Sequence, residues 1–66
     1  MENKIRELRE RRGLTQQQLS DLLSVSRQTV ISLEGGRYNP SILLAHRVAV
    51  TFGMTIEQIF LFGGEE

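Results

Sequence analysis

Cysteine is absent from the chain, and histidine occurs once, at His46. Disulfides and thiolate metal sites are therefore excluded, and one imidazole does not build a metal site by itself. The sequence also lacks a run of about 18 apolar residues, the length that a membrane-spanning helix needs, and its first residues lack the apolar stretch of a signal peptide. We expect a cytoplasmic protein with no metal and no other cofactor.

Net charge is also lacking, because eight basic residues balance eight acidic ones. Nucleic-acid binders often carry a basic excess, since phosphate contacts supply much of their affinity. In this chain seven of the eight basic residues precede Pro40, whereas Glu57, Glu65 and Glu66 lie near the C-terminus. A neutral chain can bind DNA if its charges are segregated in space, and this order permits such segregation.

The chain has 66 residues, so we expect one domain over residues 1–66 with a small core. Domains of this size usually need a disulfide, a metal or a second subunit for stability. With disulfides and thiolate metal sites excluded, a homodimer is expected.

Hydrophobic spacing and local helix signals predict the first two helices. The first covers residues 3–12 and ends before Gly13. The second begins at a capping box formed by Thr15 and Gln18. Its inward-facing side chains are expected to be Leu19, Leu22 and Leu23.

Three further helices begin at N-caps of the same kind. Ser26 caps a third helix over residues 27–34. Ser41 caps a fourth, which ends at Phe52, and Thr55 caps a short fifth. The signal for a strand is weak and confined to residues 60–62. The sequence therefore predicts an all-α domain of five helices, with at most a short strand near its C-terminus.

The second and third helices, joined by a turn of three or four residues, form a helix-turn-helix over residues 15–34. In such a unit the first helix braces the second, whose N-terminal side chains enter the DNA major groove. The candidate base-reading residues on the exposed face of the third helix are Arg27, Gln28, Thr29, Ile31 and Ser32. Taken alone, a polar face is equally consistent with a helix that is merely solvated.

This segment resembles the helix-turn-helix of the phage repressor and Cro (Xre) family. The stretches that carry the resemblance are Leu14-Thr15-Gln16-Gln17-Gln18-Leu19, Val25-Ser26-Arg27-Gln28-Thr29-Val30 and Leu33-Glu34-Gly35-Gly36. The pattern continues from Asn39-Pro40-Ser41 to Ile59-Phe60, so that it covers residues 4–60, and it is most similar to short stand-alone members. The resemblance implies a five-helix lambda-repressor-like fold and a transcriptional regulator that binds double-stranded DNA.

The resemblance also implies a role for each candidate base-reading position. Arg27 and Gln28 match the principal base-reading positions of the family. Thr29 matches a position that bonds phosphate or touches a base edge. Ile31 and Ser32 match positions that lie near thymine methyl groups.

Contacts to the DNA backbone are implied on both sides of the third helix. At the start of the second helix the matching residues are Thr15 and Gln16. In the loop before the fourth helix they are Arg37, Tyr38 and Asn39, beside a helix N-terminus that is itself an anion site. Arg6, Arg11 and Arg12 on the first helix are interpreted as a solvated face, with phosphate contact as the alternative.

Structural positions are implied as well. Arg9 and Glu34 match an ion pair that joins the first helix to the end of the third. Two residues depart from the family pattern, namely Ser20, where alanine is common, and Ser24, where glycine is common. Ser20 must satisfy its hydroxyl between the two helices, and Ser24 is expected to cost about 1 kcal/mol in a left-handed conformation.

Surplus apolar residues predict a dimer. Five short helices do not bury all of them, and the surplus consists of Leu43, Val50, Leu61 and Phe62. An apolar patch at one end of a domain is typical of an interface. The residues expected at or near the contact, on the fifth helix and the tail, are Ile56, Ile59, Phe60 and Phe62.

The sequence therefore favours a homodimeric repressor that occupies an inverted-repeat operator. An antitoxin or protein-interaction module of the same fold is the alternative, but it would need a longer disordered or apolar tail than the last six residues provide. An enzyme is disfavoured, since the sequence offers no cysteine, no metal cluster and no phosphate-binding loop. No membrane partner and no small-molecule ligand is indicated.

Overall fold

The computed structural model describes residues 1–61 of the chain, which form five helices. They are α1 (Ile5–Arg11), α2 (Gln16–Leu23), α3 (Arg27–Glu34), α4 (Ile42–Phe52) and α5 (Ile56–Ile59). The predicted all-α fold of five helices is confirmed. No helix in this part of the chain is long and apolar enough to cross a membrane.

Four of the helices begin at a hydroxyl side chain that accepts a hydrogen bond from the backbone N–H three residues later. These N-caps are Thr15, Ser26, Ser41 and Thr55. In α2 and α5 the side chains of Gln18 and Gln58 also accept from the N–H of the capping residue, which completes a capping box. Each cap satisfies an amide that has no partner inside its helix and contributes about 1 kcal/mol.

The core lies between helices that pack in sequence: α1 against α3, α3 against α2, α2 against α4, and α4 against α5. Its side chains are Ile5, Leu19, Leu23, Val30, Leu33, Leu44, Ala45, Val48, Ala49, Phe52, Ile59 and Phe60. One expectation about this core is wrong, because Leu22 is 58% exposed. The inner face of α2 is formed by Leu19, Ser20 and Leu23, and Leu22 lies roughly a quarter-turn away from it.

The two ends of the described chain meet in a short pairing. An antiparallel bridge joins Asn3 to Phe60, flanked by two backbone hydrogen bonds of 2.9 Å. Within residues 1–61 this single bridge is what corresponds to the strand signal at 60–62. The first helix is shorter than the predicted span of 3–12, because Asn3 takes part in the bridge and α1 begins at Ile5.

Burial at the end of α5 corrects the predicted dimer contact. Ile59 is 0% exposed and Phe60 is 1% exposed, because both pack into the core, so neither can contact a second subunit. Ile56 is half-buried, and Phe62 lies outside the described residues. The expectation that apolar side chains exceed what the core buries is correct for Leu43, Val50 and Leu61.

Candidate nucleic-acid interface

The turn between α2 and α3 sets the angle between the two helices. It begins at Ser24, whose φ of 61° and ψ of 40° are left-handed, as predicted. The Val25 N–H donates to the Ser20 carbonyl at 3.0 Å, and the next residue, Ser26, is the N-cap of α3. The connection thus consists of three residues, 24–26, and α3 begins directly after it.

Ser20, the other departure from the family pattern, is buried beside this turn. Its hydroxyl donates to the Gln17 carbonyl at 2.7 Å and accepts from the Gln17 side-chain amide at 3.2 Å. The hydroxyl is therefore satisfied within α2 itself, as the sequence required. A buried polar atom with a partner carries little penalty.

The five candidate base-reading residues share α3 but differ in exposure. Arg27 and Gln28, in the first turn, are exposed. Thr29 is half-buried, and its hydroxyl lies 3.0 Å from that of Ser26. Ile31 and Ser32 are also half-buried. The first turn of α3 is thus the part of the helix that projects furthest into solvent.

The arginines divide into two groups. Five are engaged within the molecule, through carboxylates or backbone carbonyls: Arg6, Arg9, Arg11, Arg12 and Arg47. The side chains of Arg27 and Arg37 form no hydrogen bond or ion pair with any residue from Met1 to Leu61. Both are exposed, one at the start of α3 and one just beyond its end. Their guanidinium groups can therefore bind an external acceptor without breaking a bond in this part of the chain.

A buried ion pair attaches the end of α3 to α1. Nε of Arg9 lies 2.6 Å from Oε2 of Glu34, and the two side chains are 12% and 6% exposed. The pair that the family resemblance implied is therefore present. The hydrogen bond to Glu34 raises the pKa of the Arg9 guanidinium above its ordinary value, although burial acts in the opposite direction. Because Glu34 is the one acidic residue of α3, the pair neutralises the carboxylate of this helix and leaves Arg27 as its one uncompensated charge.

The residues at the start of α2 take part in the same network. Nη1 of Arg9 donates to the Leu14 carbonyl at 2.8 Å, and the Gln16 side chain donates to Oε1 of Glu34 at 3.2 Å. Gln16 and Ile31 line one open cleft that also contains this ion pair. Thr15 is exposed, and its hydroxyl serves as the N-cap of α2. Of the two residues predicted to contact the DNA backbone at the start of α2, Gln16 thus lies against the C-terminal end of α3.

The second set of predicted backbone contacts lies in the loop before α4. Arg37, Tyr38 and Asn39 are all exposed. They lead into the Ser41 N-cap, whose hydroxyl accepts from the Leu44 N–H at 3.1 Å. The N-terminus of α4 carries the partial positive charge of its aligned peptide dipoles. The loop therefore presents a cation next to a helix end that favours anions.

Two arginines have structural contacts that the sequence did not indicate. Arg12 donates to the Phe52 carbonyl at 2.9 Å, and its guanidinium lies 5.4 Å from the centre of the Phe52 ring. Arg47 donates to the Leu23 carbonyl at 3.2 Å. Each cation satisfies a carbonyl at the C-terminus of a helix other than its own, where the dipole favours positive charge. No local sequence pattern signals a contact between distant helices.

The five helices match a known protein family. A model of the family described as helix-turn-helix matches residues 5–59, which includes all five helices. The chain belongs to the helix-turn-helix family. As a member of it, the chain is a DNA-binding transcriptional regulator and not an enzyme.

Individual relatives agree with this assignment. The chain is 52% identical over 62 residues to an uncharacterised HTH-type transcriptional regulator of Methanothermobacter thermautotrophicus, covering 92% of this chain and 90% of that protein. It is 42% identical over 59 residues to the competence pilus inhibition repressor of Acinetobacter baylyi, covering 86% of this chain and 52% of that protein. Among solved structures it is similar to the restriction-modification controller protein C.AhdI of Aeromonas hydrophila, with a TM-score of 0.77, 30% identity and 86% of each chain covered.

Proposed function

We propose that this regulator is a repressor that binds an inverted-repeat operator as a homodimer, with α3 of each subunit in the major groove. The observation that carries the proposal is the exposed first turn of α3. The side chains of Arg27 and Gln28 project there and form no hydrogen bond with any other residue between positions 1 and 61. A helix that enters the groove by its N-terminal end presents this turn to the base edges.

The side chains of this turn suit direct base recognition. Arg27 can donate two hydrogen bonds to O6 and N7 of guanine, and Gln28 can pair with N6 and N7 of adenine. The half-buried side chains of Thr29, Ile31 and Ser32 follow along the helix, and we assign them further contacts to the DNA. Among them the apolar side chain of Ile31 suits the methyl group of thymine. We therefore assign sequence reading to α3.

Phosphate contacts on both sides of α3 would fix its position in the groove. On one side lie Thr15 and Gln16 at the N-terminus of α2, and on the other Arg37, Tyr38 and Asn39 near the N-terminus of α4. Helix N-termini and exposed cations are favourable sites for phosphate. Neutralisation of the carboxylate of α3 by a buried arginine removes a repulsion that would otherwise oppose this approach.

The second subunit is proposed to bind the outer face of α4, defined by Ile42, Leu43, His46 and Val50. The three apolar side chains of this face are 85%, 59% and 65% exposed, respectively. The neighbouring cation, Arg47, donates to the Leu23 carbonyl. An apolar, nearly uncharged face of this kind suits another copy of itself, as a two-fold interface requires.

The dimensions of the domain suit such a dimer. The described part of the chain measures 34 × 21 × 20 Å. Two such bodies in contact have centres separated by between one short and one long dimension. The upper end of that range includes the spacing of about 34 Å between successive major grooves on one side of DNA.

Repression by such a dimer needs no further activity, since a dimer bound over a promoter excludes polymerase. The similarity to a repressor of Acinetobacter baylyi supports this direction of control.

Selection of bound fragments from random DNA tests the proposal most directly. We expect enrichment of an inverted repeat whose half-site centres lie about one helical turn apart. Transcription in vitro from a promoter that overlaps the selected site should fall when the protein is added. Enrichment of single, unpaired half-sites would overturn the dimer, and increased transcription would overturn the repressor role.

A further inference from the structure

The side chain of Asn3 joins the ends of two helices. Its Oδ1 accepts from the Ile5 N–H at 3.0 Å, which satisfies an amide in the first turn of α1. Its Nδ2 donates to the Leu33 carbonyl at 2.8 Å and to the Met1 carbonyl at 3.0 Å. The Leu33 carbonyl lies in the last turn of α3, where carbonyls have no partner inside their own helix. One amide side chain thus connects the start of α1 to the end of α3.

We propose that Asn3 is a positioning residue for α3, holding the helix at the rotation and depth at which its first turn reaches the bases. This inference rests on the base-reading role proposed above. The burial of Val30 and Leu33 in the core holds the inner face of α3, and the Arg9–Glu34 ion pair attaches its C-terminal end to α1. The bond from Asn3 to Leu33 is a second attachment, made to the backbone of the adjacent residue. Because residues 33 and 34 lie about 100° apart around the helix, two attachments at this end restrict the rotation of α3 about its axis.

Asn3 is itself firmly held. Its backbone forms the antiparallel bridge with Phe60, whose side chain is buried in the core. The Lys4 N–H donates to the Ile59 carbonyl at 2.9 Å on the same side of the bridge. The Leu33 carbonyl is therefore joined through Asn3 to the bridge with Phe60, in addition to the burial of the Leu33 side chain in the core. A binding helix needs support of this kind, because its contacts tolerate displacements of only about 0.5 Å and 10–20°.

Asparagine is the residue type that these two bonds require. The amide supplies an acceptor for the Ile5 N–H and a donor for the Leu33 carbonyl at the same reach. The hydroxyl of serine can accept from the N–H of Ile5, as it does in helix caps, but it is too short to reach Leu33. Asn3→Ser therefore removes the bond to α3 while keeping the bond to α1, whereas Asn3→Ala removes both.

These two variants, with Thr55→Ala as the matched control, provide the test. Thr55→Ala removes the N-cap of α5 and lowers stability without touching α3. At a temperature where circular dichroism shows every variant folded, affinity is measured for the selected operator and for random DNA. We expect Asn3→Ala and Asn3→Ser to weaken operator binding by about threefold to tenfold, the effect of one hydrogen bond. Binding to random DNA should change less, and Thr55→Ala should leave both affinities unchanged.

A measurement without DNA separates this inference from the proposed function. In the free protein, hydrogen exchange at the Gly36 N–H, which also donates to the Leu33 carbonyl at 3.1 Å, should accelerate in both Asn3 variants and not in Thr55→Ala. Full operator affinity in Asn3→Ala, or full rescue by Asn3→Ser, would overturn the positioning role. If the wild type did not distinguish operator from random DNA, base reading would fail, and unchanged exchange at Gly36 would then overturn the role of Asn3 by itself.

Discussion

Arg27 and Arg37 both expose a guanidinium group near α3, yet we expect their removal to have different effects. Arg27→Ala should weaken operator binding by about 1–3 kcal/mol and relax preference at one base pair of each half-site, because it removes a two-donor contact to a base. Arg37→Ala should weaken binding to all sequences alike and reduce the slope of affinity against salt by about one, because it removes a phosphate contact. Titrations of operator and random DNA over a range of salt concentrations measure both effects.

Arg11→Ala is the matched control for these two variants. It also removes one positive charge, but the guanidinium of Arg11 is engaged with Glu7 at 2.7 Å. A loss of affinity in Arg11→Ala equal to that in Arg37→Ala would mean that net charge, and not position, determines the effect. Equal losses on operator and random DNA in Arg27→Ala would make Arg27 a phosphate contact and would contradict its base-reading role.

The Arg9–Glu34 pair should be costly to break from either side. Glu34→Ala leaves a buried guanidinium without its carboxylate, and we expect a loss of about 3–5 kcal/mol in the free energy of unfolding. The double variant Arg9→Met with Glu34→Leu should cost less than Glu34→Ala, because no buried charge remains. Denaturation in urea measures each difference.

The exposed Arg11–Glu7 pair is the control for this experiment, with side chains 71% and 53% exposed. Breaking it should cost about 0.2–1 kcal/mol, and an equally small cost in Glu34→Ala would contradict the importance of the buried pair.

The pKa of Arg9 is raised in the folded state. The stability that the charged guanidinium contributes is therefore fully present below the ordinary pKa of arginine and is lost only as pH rises beyond it. We expect the free energy of unfolding to show no change caused by Arg9 between pH 7 and 10.

At the scale of the helices, the C-terminus of α2 carries a strain that one substitution can remove. Ser24 adopts a φ of 61°, a conformation that costs an L residue roughly 1–2 kcal/mol. Ser24→Gly should therefore raise the free energy of unfolding by about 0.5–1 kcal/mol, part of the gain being offset by the greater freedom of glycine in the unfolded chain. Thermal and urea unfolding give the change, and operator affinity should stay the same.

Gly13 offers the same experiment with the opposite sign. Its φ is +68°, and apart from its neighbours in the chain no residue comes within 4 Å of the position that a Cβ would take. Gly13→Ala should thus lower the free energy of unfolding by about 1 kcal/mol through backbone strain alone.

The opposite result for the first variant would contradict the prediction. Destabilisation by Ser24→Gly would indicate that the serine side chain stabilises the turn in a way that outweighs its strain.

Helix boundaries were predictable because the signals that set them are local. Thr15, Ser26, Ser41 and Thr55 each act on an amide three residues away, so the sequence alone identifies them as N-caps. The left-handed Ser24 and the satisfied hydroxyl of Ser20 were expected from the family resemblance, because glycine and alanine are common at those positions. The family resemblance added the Arg9–Glu34 pair, which residue spacing would not have indicated.

Features that depend on distant residues were not predictable in this way. Ile59 and Phe60 were expected at a dimer contact, but their burial depends on the return of the chain to the core and on the bridge to Asn3. The bond from the Asn3 side chain to the Leu33 carbonyl connects positions 30 residues apart in the chain. Hydrophobic periodicity identifies apolar residues but does not decide whether the core or a second subunit covers them.

For the molecule as a whole, neutrality and DNA binding are compatible because most of the arginines are engaged within the described residues. The carboxylates of Glu7, Glu10 and Glu34 are paired with arginines, and two other arginines bind helix C-termini. What remains among the arginines of residues 1–61 is one exposed guanidinium at each end of α3. The affinity for DNA should therefore depend on these two positions much more than on total charge.

The oligomeric state is the property of the whole molecule that the outer face of α4 should control. We expect sedimentation at micromolar concentration to show twice the 7.5 kDa mass of the chain. Val50→Glu places a charge on a side chain that is 65% exposed and would be buried in the dimer. It should give a folded monomer, because an unpaired charge in an apolar interface is strongly unfavourable.

The effect on DNA binding distinguishes loss of the dimer from damage to α3. Val50→Glu should bind a single half-site as well as the wild type does, but should lose the additional affinity that two linked half-sites provide. Gln58→Glu is the matched control, because it adds the same charge on α5 while a carboxylate can still complete the capping box with Thr55. Since α5 packs on the buried side of α4, this control should remain a dimer. A monomeric wild type would contradict dimerisation altogether, whereas a dimeric Val50→Glu would place the contact elsewhere, with Ile56 and Leu61 as the next surface to test.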